Sequence, residues 1–256
     1  MMMRAILTVC TLTDQATFKR LDGAAKLLTA PPKGMERTEY YEAILPHVLT
    51  VLDPVTPPNT TPVHGMHRRA AAFTIMRMFE RDRKAVRESL NPILFDVLGS
   101  THARHENTDR ALRLLASAVL LAPPSPDFIQ FMVAPLGFRL LTLDSFFERT
   151  PTAQITLPDQ DRSLSTQRNE VHEVLHTWLR LGPTDDVTEV LRRALASACT
   201  PDGTTWHMTP KGMELAPQEY VVCLTQPQRC RRVCLEQLAP EKYLVRGPCA
   251  LRRQLQ

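Results

Sequence analysis

The chain has 256 residues, a formal net charge of +4, 9 glycines, 21 prolines and only 6% aromatic residues. So few glycines, with few aromatic or β-branched runs, argue against a β-rich fold. The positive charge is scattered in small groups at Arg68–Arg69, Arg81–Arg83, Arg229–Arg232 and Arg252–Arg253, whereas direct nucleic-acid binding calls for a dense basic face with aromatics for stacking.

Helix signals then follow one another in blocks of similar size. Residues 4–29 form the first, stopped by Ala30-Pro31-Pro32, and Thr38–Leu52 the second, with Thr38 as N-cap and Asp53-Pro54 as stop. A Pro- and Thr-rich linker runs from Val55 to Val63. In the third block, His67–Glu80, the apolar residues Ala70, Ala71, Phe73, Met76 and Met78 fit a helix buried over a wide face. Arg83–Leu98 and Thr108–Leu121 are the fourth and fifth. Ser125–Phe147 is the sixth, opened by a Ser125-Pro126 cap pair. Arg149–Ser163 reads as a loop. Ser165–Leu181 and Thr184–Ala198 form a last pair around the Gly182-Pro183 break.

Beyond this point the pattern weakens. Residues 201–217 read as an extended or disordered link, and residues 218–256 as a short helix (Gln226–Leu238) with an irregular tail. The longest apolar run, Leu114 to Ala122, is about half of what a bilayer requires. The six cysteines (Cys10, Cys199, Cys223, Cys230, Cys234 and Cys249) make no CxxC pair, which points to reduced thiols in a cytosolic or nuclear protein.

One pattern recurs. Pro46, Pro92 and Pro135 each stand inside an apolar helical stretch, at intervals of 46 and 43 residues. That is the period of HEAT and armadillo arrays, about 40–47 residues. A proline removes one backbone hydrogen bond and bends the helix, so a bend shared at equivalent positions suits stacked helices. The expected fold is all-α: an α-solenoid of HEAT/armadillo-like antiparallel helix pairs over residues 1–200.

Several stretches resemble one family of HEAT-like proteins. They are Tyr40-Tyr41-Glu42-Ala43-Ile44-Leu45-Pro46, Arg69–Met78, Pro123–Ile129 with Ala134-Pro135-Leu136, and Leu175–Arg180 with Val190-Leu191. The segment Gly203–Gly212 around Trp206 adds to the likeness, while Leu179 stands where the family has Gly. Animal members are called transport and Golgi organization protein 6, and fungal members the factor required for nuclear transport of RNA polymerase II. Members are much longer than this chain, so it looks like a fragment-length member. The resemblance implies a non-catalytic adaptor for RNA polymerase II assembly and nuclear import, or for protein secretion and Golgi organization. Its partners would be RNA polymerase II subunits, importins or nucleoporins, met in the cytoplasm with shuttling to the nucleus.

The alternative is an enzyme. His172-Glu173-Val174-Leu175-His176 is a literal HExxH, the pattern in which two histidines one helical turn apart bind zinc and the glutamate acts as general base. A zinc metallohydrolase would need a third ligand. Position 182 holds Gly where one zinc-peptidase type has His, and Glu189 lies beyond the Gly182-Pro183 break. The residues Val171, Val174, Leu175, Trp178 and Leu179 instead trace one apolar stripe, with both histidines at its edge. No catalytic, cofactor-binding or metal-ligating residue is therefore assigned.

Overall fold

The computed structural model describes residues 22–55, 63–100, 105–149, 164–196, 204–209 and 212–217. The expected helices over residues 4–21 and 226–238, most of the linker and loop, and all six cysteines lie outside these residues. Compact units are Met1–Gln218 and Glu219–Gln256, and the described residues belong to the first.

Helix α1, residues 22–28, ends before Pro31 and Pro32, and Gly34 turns the chain with a φ of 86°. Only glycine takes that conformation without strain. Helix α2 (Arg37–Leu52) then folds back so that the hydroxyls of Tyr40 and Tyr41 donate to the Leu28 and Thr29 carbonyls, at 3.0 and 3.3 Å. These bonds satisfy backbone acceptors that a helix end leaves open. Pro46 sits inside α2 on the exposed side, where water can reach the carbonyl one turn back.

Helix α3 (Gly65–Arg81) begins two residues earlier than the sequence suggests, because the His64 side chain accepts from the Met66 amide and serves as N-cap. From Ala70 to Phe79 every residue but Arg77 is buried. Asp82 alone makes the corner into helix α4 (Arg83–Leu90): it ends α3, and its carboxylate accepts from the Ala85 amide at 3.0 Å. The path of α4 continues through a π turn, Asn91–Phe95, into a last turn, Asp96–Gly99.

Helix α5 (His105–Leu121) is followed by α6 (Pro126–Val133), capped by the Ser125 hydroxyl. A 3-10 turn, Ala134–Leu136, joins α6 to α7 (Gly137–Arg149). Helices α8 (Leu164–Leu181) and α9 (Thr184–Ala196) flank Gly182-Pro183. No helix of the described residues is long and apolar enough to cross a membrane.

The described residues are mostly helical, consistent with the all-α expectation, and one hairpin stands beside the helices. Within the stretch 201–217, read as a link, strands β1 (Thr204–Thr209) and β2 (Gly212–Pro217) pair antiparallel, with Trp206 opposite Leu215. Both of these side chains are buried, β1 packs on α7 and β2 on α5, and the Trp206 indole donates to the Arg139 carbonyl at 3.3 Å. The hairpin is possible because docking on helices supplies the apolar cover that an isolated two-stranded ribbon lacks.

The rest of the fold is helical, and its packing is sequential. Helix α2 meets α3 and α4; α3 meets α4 and α5; α5 meets α8; α8 meets α6, α7 and α9; α7 meets α9. The core is the set of apolar faces between these neighbours, with Tyr41, Leu45, Phe79, Phe128, Phe147 and Trp178 among the fully buried side chains.

Trp178 has the tightest surroundings. A β-carbon at Gly182 would stand 2.7 Å from the Trp178 carbonyl oxygen and 3.0 Å from its ring, and one at Gly137 would stand 3.0 Å from the ring's far edge. We expect Gly182→Ala to destabilise the chain by about 1–3 kcal/mol, the usual cost of forcing extra atoms into a filled core. Gly23→Ala, where nothing lies within 4 Å, should leave stability unchanged or slightly raised. Urea denaturation followed by circular dichroism measures both, and equal midpoints for the two variants would refute the packing argument.

Candidate functional site

The HExxH residues lie on α8. Val171, Val174, Leu175, Trp178 and Leu179 are all buried, so the expected stripe is what seats the helix. His172 and His176 emerge along its edge: His176 is exposed, and the His172 side chain is 43% exposed. The His172 Nδ1 lies 3.6 Å from Oδ1 of Asp144 on α7, whose side chain is only 6% exposed. Burial raises the Asp144 pKa above the usual carboxylate range; the nearby His172 and Arg168 act against that rise, and Glu148 adds to it. Arg168, one turn before His172, pairs with Glu148.

Glu189, the other residue weighed as a ligand, is occupied on its own helix. It accepts from Arg193 at 2.9 Å and from Arg192, and these bonds hold its carboxyl below the usual range. Among the described residues, no three His, Cys, Asp or Glu side chains stand together as a metal site. The closed or nearly closed protein ligand set of a structural or catalytic zinc is thus not assembled around His172 and His176 by those residues.

What the sequence did not disclose is a polar seam joining α2, α3, α5 and α8. Asp53, just past the end of α2, accepts from Arg113 of α5 at 3.2 Å and lies 3.4 Å from Arg110. Arg113 also pairs with Asp109 one turn earlier, and Asp109 accepts from Gln167 of α8 at 2.7 Å. Arg68 of α3 donates to the Leu52 carbonyl and to the Ser117 hydroxyl. Arg113, Asp53 and Gln167 are all buried, and buried charges persist only where they are paired and hydrogen-bonded.

A second seam joins α3, α4 and α6. The Arg87 guanidinium lies 4.1 and 4.2 Å from the centroids of Phe95 and Phe131, and it donates to the Phe131 carbonyl at 2.9 Å. Burial lowers its pKa from the ordinary arginine value. Phe79 packs on Phe128 and Phe131, with centroids 5.5 and 4.7 Å away. Arg83 reaches Asp127 at 3.2 Å. Further along, Gln130 of α6 accepts from the Trp178 indole at 2.7 Å and donates to Asp186 of α9 at 2.9 Å.

Two of these contacts left sequence signals. Asp109 and Arg113 stand at i and i+4, a helix ion-pair spacing, and a buried tryptophan needs an acceptor for its N–H. Comparison of the chain with family models, curated proteins and solved structures found no match to any of them.

The Asp53 seam makes a stability prediction. Asp53→Ala leaves Arg113 with Asp109 as its one carboxylate among the described residues, and we expect a loss of about 2–3 kcal/mol, below the full cost of orphaning a buried charge because one partner remains. Arg192→Ala, at an exposed pair, should leave the urea midpoint where it was. An Asp53→Ala midpoint equal to that of Arg192→Ala would show that the seam contributes nothing.

Proposed function

We propose that the chain is a non-catalytic helical-repeat adaptor, an α-solenoid of HEAT/armadillo type that presents stacked helix faces to protein partners. One observation carries the reading: contacts at one fixed interval occur at two places along the chain, the first where Arg37 of α2 donates to the Arg81 carbonyl at the end of α3, 44 residues on. At the second, Arg83 meets Asp127 and Arg87 meets Phe131, each 44 residues on. That interval falls within the 46 and 43 residues separating Pro46, Pro92 and Pro135. It also lies within the period of about 40–47 residues typical of such arrays.

Sequential packing supports the same reading, since a repeat in a solenoid touches chiefly its neighbours. The partners follow from the family resemblance: RNA polymerase II subunits, importins or nucleoporins, engaged in polymerase assembly and nuclear import. The secretory role that the animal members' name suggests is the competing assignment.

Capture of binding proteins by the immobilised full chain tests both levels. Recovery of polymerase subunits, importins or nucleoporins is the expected result. Coat or Golgi proteins in their place would overturn the import assignment while keeping the adaptor. The absence of any protein retained above an inert control would overturn the adaptor itself.

A further inference from the structure

The exposed histidines of α8 have a use that needs neither the third ligand nor the general base of the hydrolase alternative. We propose that His172 and His176 form an open, two-imidazole site for a transition-metal cation on the surface of α8, with Asp144 as the positioning residue that orients His172. The proposal is independent of the adaptor reading.

Three observations point to it. First, His172 and His176 stand at positions i and i+4, one turn apart on the same face of α8. That is the spacing used by paired histidine ligands. Second, both rings are accessible to solvent, His176 as an exposed residue and His172 with a 43% exposed side chain. Third, a buried carboxylate stands behind the His172 ring. Asp144 Oδ1 faces His172 Nδ1 at 3.6 Å, and that oxygen has no hydrogen-bond partner.

A carboxylate behind the non-ligating nitrogen is the usual support of a metal-bound histidine. It fixes the tautomer and ring orientation and raises the basicity of the ligating nitrogen. With Nδ1 turned to Asp144, the His172 Nε2 is left for the cation on the far side of the ring. When Nε2 binds, the Nδ1–H gains an acceptor waiting in the core, and Asp144 gains the donor it lacks.

The other close pair of histidines serves as a contrast. His64 and His67 have ring centroids 6.2 Å apart, but His64 Nδ1 is already the acceptor for the Met66 amide.

Two protein nitrogens leave coordination positions for water or for a donor from another molecule. Binding would therefore be weaker than at a closed four-ligand site. Imidazole suits Zn2+, Cu2+ and Ni2+, and affinity for a given site of this kind rises from Ni2+ to Cu2+. The charged groups that act on Asp144 are His172, Glu148 and Arg168, and Glu173 stands exposed between the two histidines on α8. Arg168 is paired with Glu148, so the Asp144 carboxylate remains for His172.

The test is calorimetric titration of the metal-free, reduced full chain with Ni2+, with the histidine side-chain signals followed by NMR. The expected result is saturable binding that shifts the ring signals of His172 and His176. Affinity should fall at least 10-fold in His176→Ala and in His172→Ala, and about 10–100-fold in Asp144→Asn. Glu173→Gln should bind as the unaltered chain does. His176 is exposed, so His176→Ala should keep the circular dichroism melt of the parent, which separates loss of a ligand from loss of the fold. Ni2+ binding that survives both histidine substitutions, or no binding at all, would overturn the site. Unchanged affinity in Asp144→Asn would remove Asp144 from it.

Discussion

The packing of helices α6 to α9 depends on one side chain. Trp178 is fully buried, and it fits because Gly137 and Gly182 leave no β-carbon against its ring. Its indole N–H donates to Gln130, and Gln130 in turn donates to Asp186. Four helices are thereby fixed together: α6 through Gln130, α7 through Gly137, α8 through Trp178 itself and α9 through Asp186. A large aromatic contributes much apolar burial, but its N–H must be satisfied when buried. Gln130 solves that problem and uses its own amide N–H to reach the next helix. Gly182 does two jobs, since its amide also donates to the Trp178 carbonyl at 2.7 Å and so ends α8 where the chain must turn into α9.

The three prolines show how one sequence signal can have three structural outcomes. Pro46 stays within a regular α-helix, Pro92 lies in a π turn and Pro135 in a 3-10 turn. In each case the missing N–H removes one i to i−4 bond, and the backbone then has a choice. On an exposed face, as at Pro46, water can replace the bond and the helix continues. At Pro92 and Pro135 the flanking residues Leu94, Phe95, Val133 and Leu136 are buried, so neighbouring helices govern where those side chains must point. A wider or tighter turn there adjusts the phase of the apolar face, as π and 3-10 segments do elsewhere in helices.

Helix positions were legible in the sequence because caps and stops are local. Ser125-Pro126, Gly182-Pro183 and Pro31-Pro32 act within a few residues of themselves, and the boundaries drawn from them fall close to those of α6, α8, α9 and α1. The apolar stripe on α8 was legible for a similar reason, since helical periodicity needs no partner to be read. The hairpin was not. Its strands Thr204–Thr209 and Gly212–Pro217 contain Gly, Pro, His and Met, and they are ordered by the burial of Trp206 and Leu215 against distant helices. Nothing local announces that burial. The same holds for the histidine site, where the HExxH spacing lies within five residues but the carboxylate behind His172 comes from another helix. Long-range contacts of this kind leave only compositional traces: an Asp inside an apolar helix, or a Gln flanked by Ile and Phe.

The scattered arginines have their explanation in the same long-range geometry. The sequence shows a modest positive excess with no basic face, and the structure places many of those side chains at seams between elements. Arg68 ties α3 to the end of α2 and to α5, Arg77 reaches Asp22 of α1, Arg87 lies between Phe95 and Phe131, Arg113 bridges α5 to Asp53, and Arg168 bridges α8 to α7. Arginine suits such places because its stem packs on apolar surface while its planar head donates in several directions at once. A lysine offers a more strongly hydrated point charge and cannot stack between two rings in this way. Part of the arginine content is thus used within the fold, holding helices to one another. That leaves the accessible edge of α8, with its two imidazoles, as a surface whose chemistry packing alone does not explain.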